Sequence, residues 1–255
     1  MSLPLAGKLA IITGASAGIG RSTAEELAAL GASVVLQARR KEKLDEVVQA
    51  IQAKGGQALA VPGDASQESD IEQLLTHALA FGKKLHQSSK LDIVIVNAGR
   101  GLAGGLLTSD TSQWQQMYDI NVMGAAHLMR RAGQFMVDQQ SGDILILGSV
   151  AGDNISPFSG FYGSSKFAIA GMAEAFRREV CAKNVRVTLI KPGVVISEFQ
   201  QVAGYTPDNF YKNMERFGKV LDPIDVARAI AFIVTQPPSV HINELMIRPT
   251  KQDYP

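Results

Sequence analysis

Short runs of consecutive apolar residues alternate along this chain with longer stretches whose apolar positions recur every three or four residues. Runs of strand length fall at 9–13, 33–37, 57–62, 91–97, 143–148, 186–191 and 245–248. Several are apolar without alternation, as in Ile93-Val-Ile-Val96 and Ile144-Leu-Ile-Leu147, which predicts strands buried on both faces. Helical spacing occupies 19–30, 42–54, 67–80, 112–139, 160–182 and 224–235; in the second of these Leu44, Val47, Val48 and Ile51 share one stripe. Strand and helix in strict alternation require parallel strands joined by helical crossovers, so the expected class is α/β. No change of composition divides residues 1–255, and a single domain is expected.

Two segments break the rhythm. The polar stretch 81–90 (FGKKLHQSSK) is longer than an approach to the fourth strand needs and is expected to be a surface insertion. Residues 193–220 form a long irregular stretch, and about 195–220 is expected to act as a lid over a site.

A hydrophobic fraction of 46% against 19% charged provides for a sizeable core, and a net charge of +1 with interspersed signs offers no basic block. No nucleic-acid partner and no membrane surface is therefore expected. The apolar runs are too short to span a bilayer, and residues 1–8 lack the apolar core of a signal peptide. One cysteine, Cys181, excludes an internal disulfide and suits a reducing compartment, so a cytoplasmic location is expected. His77, His86, His127 and His241 never fall into ligand spacing, and no metal is expected.

Candidate chemistry gathers in three places. Tyr162-Gly-Ser-Ser-Lys166 lies on a helix, where residues four apart share a face, so a phenol and an ammonium can form one acid/base unit. A cation beside the phenol is expected to lower the Tyr162 pKa. Thr13-Gly-Ala-Ser-Ala-Gly-Ile-Gly20 joins the first strand to the first helix, where glycines allow close approach of a pyrophosphate to free N–H groups. Its spacing, Gly14-x-x-x-Gly18-x-Gly20, departs from the common Gly-x-Gly-x-x-Gly form. The third place is the second strand's end, Gln37-Ala-Arg39-Arg40, which has no carboxylate until Glu42. An acid there would accept the ribose 2′-hydroxyl and repel a 2′-phosphate; two guanidiniums favour the phosphate.

Taken with Asn97-Ala-Gly99, Asn121, Ser149 and Pro192-Gly193, these motifs resemble the short-chain dehydrogenase/reductase family in order and spacing, from about Lys8 to at least Ser197. The resemblance implies a Rossmann-type, doubly wound domain with a seven-stranded parallel sheet, a nicotinamide cofactor and oxidoreduction of alcohols and carbonyls. It implies Tyr162 as general acid/base, Lys166 as the group that tunes it and holds the ribose, and Ser149 as a donor to the substrate oxygen. Asn121 would kink its helix and hold a water. Gly14, Ser16, Gly18, Ile19 and Gly20 would cradle the phosphates. Asp64 and Ala65 would meet the adenine, and Asn97, Ala98 and Gly99 the adenine ribose. Pro192, Gly193, Val195 and Ser197 would clasp the carboxamide. Val96 stands where many relatives have Asn, and Ser197 replaces Thr.

With Arg39 best placed and Arg40 beside it, the cofactor expected is NADP(H). The C-terminal Glu244-Leu-Met-Ile-Arg-Pro-Thr-Lys251 is similar to the subgroup acting on 3-hydroxy acids and serine-like compounds. A small hydroxy acid or its keto partner is the expected substrate, with Arg100, Lys212 or Arg216 on the carboxylate. Residues 150–161, 100–106 and 195–217 are expected to line its pocket. Reduction of a 3-oxoacyl thioester or another ketone is the enzymatic alternative, and a dinucleotide-binding regulator the non-enzymatic one. Small residues (Gly124, Ala125, Ala126, Ala168, Ala170, Gly171, Ala173) on the helices that in the family build a dimer face imply a homotetramer.

Overall fold

The computed structural model describes residues 3–154, 157–205 and 215–254. Seven strands, β1 (Leu9–Thr13), β2 (Ser33–Ala38), β3 (Gln57–Pro62), β4 (Ile93–Val96), β5 (Gly142–Leu147), β6 (Val185–Pro192) and β7 (Glu244–Ile247), form one sheet in the order β3-β2-β1-β4-β5-β6-β7. Every adjacent pair is parallel. The chain winds outward from β1 in one direction to β3, then returns to pair β4 with β1, Ala10 opposite Ile93. That reversal opens a crevice at the carboxyl ends of β1 and β4, the usual place for a ligand in such sheets.

Successive strand residues point to opposite faces, and both faces are covered. Ile12, Leu36, Ile95 and Leu145 pack with α1 (Gly18–Ala29), α2 (Lys41–Ala53) and α8 (Pro223–Val234). Ile11, Val35, Val94 and Ile144 pack with α3 (Glu68–His86), α5 (Ala125–Asp138) and α6 (Gly160–Val180). This is the physical reason an inner strand such as β4 reads apolar throughout, while the edge strands β3 and β7 are partly exposed. Each fully buried Leu or Ile contributes roughly 1.5–3 kcal/mol relative to exposure.

The polar stretch 81–90 is largely not an insertion. Helix α3 runs on to His86 because its buried stripe of Ile71, Leu74, Leu75 and Ala78 continues one turn further to Gly82. A Cβ on Gly82 would stand 2.9 Å from Leu9 Cδ2, so the glycine lets the helix lie close on β1 without displacing the Leu9 side chain. His86 Nε2 and Ser33 Oγ, 2.9 Å apart, fasten its last turn, and the helix ends at Gln87 in the left-handed region. The single helix expected over 112–139 is instead interrupted. A 3₁₀ turn (Thr111–Gln113) and α4 (Trp114–Tyr118) lead into a π-helical turn over Asp119–Gly124 before α5 begins. The stretch after β6 contains α7 (Phe199–Val202) and a 3₁₀ turn (Glu215–Phe217), so part of the expected lid is helical. Among the described residues no helix is long and apolar enough to cross a membrane, and no cluster could hold a metal ion.

Candidate active site

A cleft of about 950 Å³ follows the carboxyl edge of the sheet from Arg39 and Asp64 to Tyr162 and Phe217. Of the candidate site residues named from the sequence, all but Gly20 and Asn121 line it; these two stand behind its wall. Lys212 lies outside the described residues.

At one end, β1 passes into the glycine turn. Gly14 has φ +66°, and a Cβ there would come within 2.8 Å of Asn97 Nδ2. A Cβ on Gly20 would meet Gly14 O at 2.3 Å, so the turn and α1 close up only without side chains. Asn97 Nδ2 donates to Thr13 O at 2.8 Å, and Thr13 Oγ1 accepts the N–H groups of Asn97 and Ala98 at 3.1 and 3.0 Å. These bonds tie the ends of β1 and β4 together and leave the N-terminus of α1 facing the cleft. Backbone N–H groups at a helix start, with a glycine backbone that a phosphate can approach, fit a dinucleotide pyrophosphate. Asp64, beyond β3, is held by Ser66 N and Ser66 Oγ at 2.9 and 2.8 Å.

At the end of β2, Arg39 is exposed and makes no hydrogen bond or ion pair with a described residue. Arg40 is engaged: its Nη2 donates to Ser16 Oγ at 3.1 Å and pairs with Glu198 at 2.7 Å.

The other end holds the acid/base candidates. Ser149 follows β5, and its Oγ accepts the Ala151 N–H at 3.1 Å, capping a 3₁₀ turn that turns the hydroxyl toward Tyr162 on α6. Burial pushes the Tyr162 hydroxyl above its ordinary value, against a lowering hydrogen bond from Ser149, and nearby Tyr205 adds to the rise. Lys166 Nζ lies 5.8 Å from the Tyr162 ring centroid and donates to Leu147 O at 2.8 Å. The expected lowering of Tyr162 by Lys166 is therefore not found. The ammonium is spent on a carbonyl, and desolvation of the phenolate dominates. The same desolvation lowers Lys166 itself to about 8. Phe199 of α7 packs edge-on to Tyr162 with centroids 5.7 Å apart, closing the wall.

Asn121, in the π turn, bonds the backbone of Arg100 and Ser165 Oγ rather than facing the cleft. The Arg100 guanidinium lines the cleft, held by Gln113 and Gln116, with no carboxylate in ion-pair range among the described residues. Arg216 pairs with Asp253 at 3.5 Å and lies over the Phe217 ring. Of the segments expected to line the pocket, 101–106 stays outside it.

Among the lining residues that the sequence does not single out as site residues are Gln37, Gln116, Gln252 and Tyr254. Gln252 Oε1 accepts the Val194 N–H at 2.9 Å and would lie 2.3 Å from a Cβ on Gly193, so the C-terminal segment braces the loop after β6. No local pattern marks it, because its partner is 58 positions away. Gln37, fully buried at the end of β2, was readable as a polar residue in an apolar strand.

The short chain dehydrogenase family description matches residues 8–206. An uncharacterized oxidoreductase of Staphylococcus aureus is 33% identical over 246 residues, 96% of this chain and 98% of that one. A metagenomic short-chain oxidoreductase solved in complex with NADP shares 30% identity at a TM-score of 0.80, covering 98% of this chain and 100% of its own. The closed form of a serine dehydrogenase complexed with NADP⁺ shares 28% identity at a TM-score of 0.86, covering 96% of each chain. With the match spanning most of the chain and the sheet order and cleft described above, this protein belongs to the short-chain dehydrogenase family of oxidoreductases, which use a nicotinamide dinucleotide.

Proposed function

We propose that this chain is an NADP(H)-dependent oxidoreductase that interconverts an alcohol and a carbonyl compound, with Tyr162 as the general acid/base. The observation that carries the reading is the convergence of Ser149, Tyr162 and Lys166 in one cleft that begins at the glycine turn heading α1. The bound dinucleotide would supply or take up the hydride. Gly14, Ser16, Gly18 and Ile19 would hold its pyrophosphate, Asp64 and Ala65 its adenine, and Asn97 to Gly99 the adjoining ribose. Gly193, Val195 and Ser197 would fix the nicotinamide end. Arg39 and Arg40 favour a 2′-phosphate, and two similar structures carry NADP or NADP⁺.

Tyr162 gives its Oη proton to the carbonyl oxygen as negative charge develops there, and takes it back in the reverse direction. A hydroxyl whose pKa is raised by burial keeps that proton at neutral pH, as a donor must. Ser149 Oγ stabilises the same oxygen by a hydrogen bond. Lys166, fixed on Leu147 O and 5.8 Å from the Tyr162 ring centroid, would hold the nicotinamide ribose beside the phenol.

For the substrate, a small hydroxy acid or its keto partner is favoured by Arg100, a cleft-lining cation without a carboxylate partner among the described residues. Similarity to a serine dehydrogenase points the same way. A bulkier neutral ketone is the second reading, favoured by the apolar wall of Phe158, Phe199, Val202 and Phe217. Oxidation of NADPH with a panel of short 3-keto acids and of neutral ketones tests both. Tyr162→Phe should lose roughly 10²–10⁴-fold in kcat while still binding NADPH. A Phe variant with wild-type turnover would remove Tyr162 from the chemistry, and turnover of neutral ketones alone would remove the hydroxy acid.

A further inference from the structure

The ion pair between Arg40 and Glu198 joins two walls of the cleft. Arg40 belongs to the link between β2 and α2, the region that faces an adenosine 2′-substituent in folds of this type. Glu198 belongs to the opposite wall, as the residue preceding α7, and its neighbour Phe199 packs on Tyr162. Glu198 Oε2 lies 2.7 Å from Arg40 Nη2, and the same nitrogen donates to Ser16 Oγ at 3.1 Å, Ser16 being only 8% exposed. The guanidinium is thus drawn inward over the glycine turn by a carboxylate from across the cleft. The strand end itself carries no acid.

We propose that Glu198 is a cofactor-specificity residue: its carboxylate holds Arg40 against a 2′-phosphate and narrows the preference for NADP(H) over NAD(H). The acid that discriminates against the phosphate is supplied here from the loop after β6 rather than from the end of β2. Three consequences follow from charge alone. The 2′-phosphate must share or displace the Glu198 carboxylate at Arg40, whereas a ribose 2′-hydroxyl meets no such competition. Arg39, with no pairing to a described residue, is left as the principal phosphate ligand. Because the partners are half exposed, at 49% and 50%, the competition is modest and weakens with salt.

The inference rests on the dinucleotide reading of the cleft, and the test separates the two. Dissociation constants of NADPH, NADH, adenosine 2′,5′-bisphosphate and 5′-AMP are measured by titration calorimetry on wild type, Glu198→Gln, Arg40→Ala and the double variant. Glu198→Gln should bind NADPH and the 2′,5′-bisphosphate about two- to fivefold tighter, in keeping with an exposed ion pair. NADH and 5′-AMP should be unchanged. In the Arg40→Ala background the same substitution should lose most of that effect, and raised salt should shrink it in the Arg40 protein. An equal change for phosphorylated and unphosphorylated ligands would mark Glu198 as a support for the loop and overturn the inference. So would an unmoved ratio, or an effect that survives without Arg40. If wild type binds none of the four ligands, the dinucleotide reading falls and this inference with it; if it binds them and the ratio does not respond, only this inference falls.

Discussion

The side-chain amide of Asn121 closes on the backbone of Arg100 from both sides: Oδ1 accepts its N–H at 2.8 Å and Nδ2 donates to its C=O at 2.9 Å. The π turn over Asp119–Gly124 aims that amide at the loop leaving β4, while a third bond reaches Ser165 Oγ on α6 at 3.1 Å. One side chain thus joins the loop beside Gly99 to the helix that carries Tyr162 and Lys166. Asn121→Ala would strand two backbone groups where only 3% of Asn121 is exposed. A loss of about 2–4 kcal/mol is expected, since each unsatisfied buried group costs about 1–3 kcal/mol. Urea unfolding should show a lower midpoint with an unchanged slope, and equal midpoints would refute the bracing role.

Arg39 is the cation at the end of β2 that no described carboxylate holds. Its fork remains available for paired bonds to a phosphate and for stacking on adenine. Arg39→Ala should weaken NADPH by about tenfold and leave NADH within about twofold, as loss of one charge-assisted contact implies. Fluorescence titration of both reduced cofactors reads this directly. An NADPH affinity that does not move would show that the phosphate is recognised elsewhere.

Arg186 and Asp143 face each other across β6 and β5 in a two-bond pair at 2.6 and 2.8 Å, with side chains only 13% and 14% exposed. The guanidinium also donates to the carbonyls of Gln236, Pro237 and Val240, fastening the link from α8 to β7 onto the sheet. Arg186→Met would leave Asp143 buried without its partner, at a cost of about 3–5 kcal/mol. Adding Asp143→Asn should recover part of that loss. Chemical unfolding of the two variants checks the order, and a double variant less stable than the single one would contradict it.

The fold was legible because parallel strands covered on both faces must be apolar at every position, a signal local to each segment. Ile93-Val-Ile-Val96 is such a case, whereas the edge strand β7 is exposed at Glu244 and Met246 and carries a weaker signal. Interruptions were harder to read. The break at Asn121 depends on bonds to residues 21 and 44 positions distant, while the apolar spacing of the flanking helices runs through it. The small residues assigned to an assembly face divide for a similar reason. Gly124 lies so close to Ala65 O that a Cβ would stand 2.0 Å away, and Ala125 and Ala173 are buried in the core, whereas Gly171 is exposed. Smallness marks close approach but not which neighbour approaches. Most motif residues, though not Gly20 and Asn121, line one cleft, yet the Arg40–Glu198 pair and the brace from Gln252 join segments too remote for any spacing to announce.

Lys166 ties the acid/base pair to the stability of the fold. It is 8% exposed, and burial lowers its pKa from 10.5 to about 8. In the unfolded chain the same ammonium keeps its proton to about 10.4. Below pH 8 both states are protonated, and the folded state carries the full cost of the buried charge. Between about pH 8 and 10.5 the unfolded state binds more protons, so the contribution of this group to stability rises with pH. Above that range both states are neutral and the curve flattens. The whole change is on the order of 3 kcal/mol at about 1.4 kcal/mol per pH unit. Other groups titrate in the same range, so the measurement is the difference between wild type and Lys166→Met, unfolded in urea at intervals from pH 7 to 10.5. Wild type should gain on the variant as pH rises through 8, and the gain should stop near 10.5. The Met variant also leaves Leu147 O without its donor, an offset that does not depend on pH and cannot imitate the slope. Parallel stability curves for the two proteins would show that Lys166 titrates at its ordinary value and that its ammonium is not buried under Tyr162.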